Sequence, residues 1–269
     1  MESDGIAGIV FTGSREVGMD IFRNGQKKRP KPVITEMGGK DAVIVTSKAD
    51  MKKAVEGVFR GAFGFSGQKC SATSLVYAEE GIYDKFVNGL VERCKGVVPG
   101  DPKKKETFIG PVINKAAFDK FKSLIPKFSE YGKVVVGGKA LDGPGFYVEP
   151  TVIKDVSKDS ELVKNELFLP VLGIIKVKNL KEAVDEVNKS EYGLTGGIIT
   201  EDPDEIRYYF DNADVGVIYA NRARGASTGA VVGSQPFVGW KMSGISGKGT
   251  GSYYYLQQFL REQSQTIAH

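Results

Sequence analysis

Histidine, cysteine and long apolar runs are what this sequence has least of. The single histidine, His269, is the last of 269 residues, and a chain end holds an imidazole too loosely for catalysis. Ser-His-Asp and Cys-His schemes are excluded on that basis, and the commonest metal ligand goes with them. The two cysteines, Cys70 and Cys94, stand 24 positions apart. That spacing carries no zinc signature, and two thiols cannot build a disulfide framework, so a reducing compartment is expected. No apolar run approaches the about 20 residues of a bilayer span, and no basic-then-apolar leader follows Met1. A cytoplasmic protein with no membrane partner is the expectation. Neither sign of charge dominates: 37 Lys and Arg against 33 Asp and Glu give +4, scattered along the chain and short of a nucleic-acid footprint.

What is present is ordinary globular composition, 41% apolar and 26% charged, in a chain long enough to bury a sizeable core. Apolar β-rich runs alternate with amphipathic runs, which predicts an α/β architecture around a largely parallel sheet. The pattern predicts strands at 6–11, 32–37, 42–46, 133–136, 147–152, 171–177, 197–200 and 216–220. Helices are expected at 15–24, from 51, at 82–95, 115–128, 180–189 and 203–213, with Asp50 capping the second of them. Residues 221–251 concentrate glycine and serine without a helical period and read as a long functional loop. The tail, 261–268, reads as a terminal strand able to pair with another subunit.

Two residues stand out as chemistry. Cys70 lies in the glycine-broken segment Gly64-Phe65-Ser66-Gly67-Gln68-Lys69-Cys70, beside a helix end whose backbone N–H groups are placed to stabilise a thiolate; a lone cysteine is otherwise more often structural. Cys94 falls on the apolar stripe of its helix and reads as a core thiol. Glu36 ends an apolar strand and is followed by Met37-Gly38-Gly39. It is either a surface residue or, among apolar neighbours, a carboxyl of raised pKa suited to act as a general base.

Glu36-Met37-Gly38-Gly39-Lys40, followed by Gly67-Gln68-Lys69-Cys70-Ser71-Ala72 with the thiol 34 positions after the glutamate, resembles the paired signatures of the aldehyde dehydrogenase superfamily. Phe11-Thr12-Gly13-Ser14 is similar to that family's nucleotide-domain turn. Asn165-Glu166-Leu167-Phe168-Leu169-Pro170 is similar to its cofactor-ribose motif, and 235–244 to its late glycine motif. Within the superfamily, Ser71 and the loop Ser227-Thr228-Gly229-Ala230-Val231-Val232-Gly233 resemble the 1-pyrroline-5-carboxylate dehydrogenases, which oxidise glutamate γ-semialdehyde with NAD.

The resemblance implies an aldehyde-dehydrogenase-like catalytic domain at 38–246, a remnant of a Rossmann-like nucleotide-binding domain at 1–37, and an oligomerisation tail at 247–269. It implies Cys70 as nucleophile and Glu36 as base. Gly13, Ser14, Glu166 and Phe168 would meet NAD, while Ser71, Gly229, Ala230 and Phe237 would meet a substrate aldehyde carrying a carboxylate. No metal is implied. Only ten residues precede Phe11, where the family carries most of its nucleotide-binding sheet and an oxyanion asparagine. A missing N-terminal half supplied by another polypeptide, or a homo-oligomer, is the expected partner. Val238 stands where the family has a glycine pair. Two other functions stay open: a truncated assembly subunit without catalysis, and a residual thiol esterase.

Overall fold

A computed structural model describes residues 3–223, 229–230 and 233–269. The chain opens with β1 (Ile9–Thr12), α1 (Arg15–Asn24) and β2 (Val33–Glu36). The two strands pair in parallel, Thr12 opposite Glu36, and Ser14 caps α1 by accepting from the Val17 N–H. The chain then enters β3 (Asp41–Val45), α2 (Met51–Phe63), β4 (Thr73–Glu79), α3 (Tyr83–Cys94), α4 (Lys115–Tyr131) and β5 (Lys133–Val136). It continues through β6 (Thr151–Lys154), the single turn α5 (Glu161–Lys164), β7 (Val171–Val177), α6 (Leu180–Asn188) and β8 (Tyr192–Gly193). Last come β9 (Thr195–Ile199), α7 (Pro203–Asn212), β10 (Val217–Ala220) and β11 (Trp240–Lys241), which pairs antiparallel with β8.

Seven strands form the central sheet in the order β10-β9-β3-β4-β7-β6-β5. All neighbours are parallel except β5 against β6. Alternate residues of one strand face opposite sides of the sheet. Ala42, Ile44, Leu75, Tyr77 and Ile175 therefore pack with Phe121, Phe128, Val184 and Tyr209 from α4, α6 and α7. Val43, Val45, Val76, Ala78 and Ile174 pack with Val58, Phe59, Phe86 and Leu90 from α2 and α3. Burial on both faces is what a parallel sheet requires.

Three expectations need correction. β4 runs through the centre of the sheet where no strand was expected; it is buried on both sides, and its apolar run is only 75–78. The strand expected at 147–152 is displaced to Thr151–Lys154, because Pro150 has no N–H to give a ladder and fits only before the strand starts. Residues 261–269 form no strand within this chain, and Leu260 and Ile267 are exposed.

Parallel topology positions the site. Gly38–Lys40 leads into β3, Ser71–Ala72 into β4 and Leu169–Pro170 into β7, so all three segments emerge at the same end of the large sheet. The carboxyl ends of β1 and β2, with the N-terminus of α1, face them across a cavity.

Candidate active site

The loop carrying Cys70 is built by backbone strain held in place from several sides. After α2, Phe65 (φ 57°), Ser66 (φ 56°) and Gly67 (φ 66°) take left-handed conformations in succession. For a non-glycine residue this typically costs about 1–3 kcal/mol, and surrounding contacts hold it. The Ser66 hydroxyl donates to the Gly110 carbonyl at 2.8 Å. Gln68 accepts at Oε1 from the Ile113 N–H at 2.8 Å, and its own N–H donates to Phe65 O at 3.1 Å. Gly67 lies flat on the Leu169 and Pro170 backbone, where a Cβ would meet Leu169 O at 2.5 Å. The thiol loop is thereby registered against the segment that carries Glu166.

Glu36 is fixed from the other side. Its backbone carbonyl accepts from the Gly13 N–H at 3.1 Å, and Met37 N–H donates to Ser243 O at 2.8 Å. The late glycine segment folds over it, bridging Glu36 to Gly244, so that the Gly239 N–H donates to Glu36 Oε2 at 3.1 Å. Burial pushes this carboxyl up to about 7, against the lowering effect of that one hydrogen bond. It is a group that exchanges its proton near neutrality.

Glu166 accepts at Oε1 from the Gly39 N–H at 3.2 Å. Its carboxylate occupies the space a Cβ on Gly38 would need, so a side chain there would displace the carboxylate. Burial raises the Glu166 carboxyl, while the Gly39 N–H, Lys40 and Lys120 act to lower it.

A cavity of about 930 Å³ joins these groups. Thr12, Gly13, Ser14, Glu36, Cys70, Ser71, Glu166, Phe168 and Phe237 all line it, as do Arg15, Lys69 and Lys120. Phe168, at φ 59°, is held half open to solvent with its ring on the wall. Gly229 and Ala230 do not line this cavity. Gly229 (φ 70°) packs beside the Tyr219 ring on β10, and the companion positions Ser227, Thr228, Val231 and Val232 lie outside the described residues.

The thiol differs from its expected state. Burial, then the Asp41 and Glu166 carboxylates, push Cys70 up to about 11, against the lowering effect of the Ser71 and Cys70 N–H groups. The backbone donors are present, but the loss of water and two nearby acids outweigh them. These effects favour the protonated thiol over the thiolate near neutrality. Cys94 is buried in the core as expected.

Sequence reasoning missed Lys120, Arg15 and Lys69 on the wall. Lys120 Nζ donates to Leu167 O at 2.7 Å, which ties α4 to the Glu166 segment. It is 50 positions from Cys70 inside an amphipathic helix, and no local pattern marks it. Among the described residues no group of His, Cys, Asp or Glu is arranged to hold a metal, and no helix is long and apolar enough to cross a membrane.

Residues 1–264 match the model of the aldehyde dehydrogenase family. The chain belongs to the aldehyde dehydrogenase family. It is 41% identical over 265 residues to a 1-pyrroline-5-carboxylate dehydrogenase of Bacillus mycoides, covering 96% of this chain and 51% of that protein. To the Bacillus cytotoxicus enzyme of the same name it is 43% identical over 251 residues, 91% and 48% of the two chains. Among solved structures, a Thermus 1-pyrroline-5-carboxylate dehydrogenase with bound NAD superposes at TM-score 0.89 with 38% identity, covering 95% of this chain and 50% of that one. Lactaldehyde dehydrogenase from Escherichia coli superposes at 0.88 with 33% identity, over 96% and 53%. The chain thus spans about half the length of the aldehyde dehydrogenases it matches.

Proposed function

We propose that this chain carries the nucleophile and the base of an NAD-linked oxidation of glutamate γ-semialdehyde to glutamate. The observation that carries the reading is the convergence of Cys70, Glu36 and Glu166 on one cavity. The similarity to 1-pyrroline-5-carboxylate dehydrogenases supports the substrate. So do Lys69 and Lys120 on the cavity wall, because cations there favour a carboxylate-bearing aldehyde.

The residues present suit a dinucleotide. Glu166 offers two acceptor oxygens for ribose hydroxyls in the pocket left by Gly38, Phe168 offers an apolar ring, and Gly13 and Ser14 open a helix of ten residues whose terminus favours phosphate. NAD, when bound, supplies the acceptor for the hydride that leaves the substrate carbon.

The chain's own residues do the rest. Cys70 passes its proton to the Glu36 carboxylate, which releases it to solvent, as Sγ adds to the aldehyde carbon, and the Cys70 and Ser71 N–H groups are available to the new oxyanion. Loss of hydride leaves a thioester on Sγ. Glu36 takes a proton from water, which attacks the thioester, releases the acid and restores the thiol. With a carboxyl near 7, this last step accelerates as pH rises through neutrality.

The organisation proposed is a dinucleotide-binding portion at 1–37, a thiol-bearing domain at 38–246 and a tail at 247–269. In it β1 and β2 form only a two-stranded nucleotide platform, and hydride transfer draws on a further polypeptide half. Calorimetric titration of the purified chain with NAD is expected to give no micromolar binding. Absorbance of reduced nicotinamide, after addition of an N-terminal half from a relative, is expected to be greater with glutamate semialdehyde than with an uncharged aldehyde of equal length. Preference for the uncharged aldehyde refutes the substrate assignment.

A further inference from the structure

A second cavity, of about 660 Å³, lies behind the wall of the first. Neighbouring residues of three backbone stretches line opposite sides of that wall: Gly38 and Lys40, Glu166 and Asn165, Tyr192 and Glu191, the first of each pair in the first cavity and the second in the other. The mechanism above uses nothing on the far side.

The floor of the second cavity is apolar. Ala42 on β3, Leu75 and Tyr77 on β4 and Val187 on α6 are buried members of the core on that face of the sheet, and half-buried Val163 on α5 closes one side. Most of the charges around it are spent on one another. Glu186 pairs with Lys158 at 3.3 Å and Lys189 at 2.8 Å, and Glu191 pairs with Arg15 at 2.7 Å. At the exposed mouth, Lys164 and Asp159 offset each other in sign. That leaves Lys40, which is 5% exposed and whose Nζ is buried with no hydrogen-bond partner among the described residues. Asp41, Glu166 and Lys120 face it by charge, but none bonds to it. An ammonium in apolar surroundings without an acceptor is a costly arrangement for folding alone. A carboxylate in the cavity is the acceptor it lacks, and the flexible stem of a lysine lets Nζ turn to meet it.

We propose that this second cavity binds a small amphipathic carboxylate, its apolar body on Leu75, Tyr77 and Val187 and its carboxylate against Lys40. A concave, mostly apolar site of this volume with a few polar groups is what a small ligand requires. The proposal is independent of the reading of Cys70 as nucleophile, so either can fail alone. Burial lowers Lys40 to about 7 and raises Asp41 to about 8. At pH 6 the amine is therefore charged and its neighbouring carboxyl neutral, and at pH 9 both are reversed. A bound carboxylate favours the ammonium form, so its affinity falls as pH rises through neutrality.

The test is calorimetric titration of the purified chain with decanoate at pH 6 and pH 9. One decanoate per chain, with a dissociation constant below about 1 mM at pH 6, is expected. Decylamine, with the same body and the opposite charge, and acetate, without the body, should each bind about tenfold more weakly or worse. Lys40→Met should weaken decanoate about tenfold or more at pH 6, the weight of a hydrogen bond to a charged group, and should flatten the pH dependence. Val163→Trp fills the cavity from a half-buried position and should also weaken decanoate about tenfold or more, which keeps the test decisive if Lys40→Met does not fold. No saturable binding at pH 6, several decanoates per chain, equal affinity for decylamine, or an affinity within about twofold of the parent in either folded variant overturns the proposal. Loss of binding when Cys70 is carbamidomethylated places the ligand in the first cavity and overturns it as well.

Discussion

Replacing Glu36 with glutamine separates its chemical role from its energetic cost. Gln keeps the shape and an oxygen able to accept from the Gly239 N–H, the one hydrogen bond the side chain receives among those described at 3.1 Å. It removes the ionisation. Burial lifts this carboxyl from 4.5 to about 7, so folding favours its protonated form. An acid raised in this way contributes most below 4.5, loses that contribution as pH climbs from 4.5 to 7, and above 7 leaves the folded chain carrying a buried charge. At about 1.4 kcal/mol per pH unit, the full displacement is about 3 kcal/mol, and water entering the cavity reduces it to about 1–2 kcal/mol. Glu36→Gln is therefore expected to be more stable than the parent by about 1–2 kcal/mol at pH 8 and indistinguishable from it at pH 4. Urea unfolding of both proteins at the two pH values measures this. In parallel, turnover of an activated ester by Cys70 should fall about 100-fold or more, the usual weight of a general base, and lose its rise through neutrality. A stability difference that does not grow between pH 4 and 8 refutes the buried-carboxyl reasoning. Undiminished ester turnover refutes the role as base.

The remaining predictions probe the scaffold. In the parent, alkylation of Cys70 should outpace that of Cys94 through access alone, and should keep rising with pH toward about 11, where burial places both thiols; a plateau below pH 8 in the rate profile contradicts this. Gly67→Ala should destabilise by about 2 kcal/mol or more in urea unfolding, because its φ of 66° and the Leu169 carbonyl leave no room for a Cβ. Gly38→Ala meets only the mobile end of Glu166, so it should cost under about 1 kcal/mol in the same assay. It should nevertheless raise the KM for NAD in the complemented enzyme, as the displaced carboxylate loses its Gly39 donor. Asp50→Ala, which removes the acceptor for the Lys52 and Lys53 N–H groups at the start of α2, should cost about 1 kcal/mol by thermal unfolding.

Local chemistry was readable where it sufficed to determine structure. The helix at 15–24 and the strands at 133–136 and 171–177 appear at their expected bounds, marked by Ser14 and Gly25, by Gly132 and Gly137, and by Pro170 respectively. Asp50 caps α2 as its position predicts. β4 was missed because its sequence, Thr73-Ser74-Leu75-Val76-Tyr77-Ala78-Glu79, has polar residues at both ends and only four apolar residues in a row directly after the glycine-broken thiol loop. At the site, Glu36 and Cys70 were visible through glycine-rich surroundings, whereas Glu166 was visible only through the family resemblance of residues 165–170. The raised thiol was not visible, because burial, and after it the Asp41 and Glu166 carboxylates, act on Cys70 only in the folded chain. Lys120 was hidden for the same reason: its role is conferred by the turn of α4 that faces Leu167, not by its neighbours in sequence.

The proposed base and nucleophile come from different sheets, and this determines where the site is vulnerable. Glu36 ends the small parallel pair, whereas Cys70 precedes β4 of the large sheet. Nothing in either sheet alone fixes the distance between them. The late glycine segment does so from the outside: Ile245 N–H donates to Thr35 O at 3.1 Å and Met37 N–H to Ser243 O at 2.8 Å. On its other side the same segment pairs β11 with β8, and the Ser243 hydroxyl accepts from the Gly193 N–H at 3.0 Å. Residues 239–245 thus fasten the small sheet to the strand that leads into β9. A change there, far in sequence from both Cys70 and Glu36, should slow thioester hydrolysis before it affects thiol alkylation, since it moves the base while the thiol loop remains pinned to Gly110, Ile113 and Leu169. Ser243→Ala is the mildest form of that change. Its expected signature is an intact Cys70 alkylation rate with accumulated acyl-enzyme, observed by mass after exposure to an activated ester.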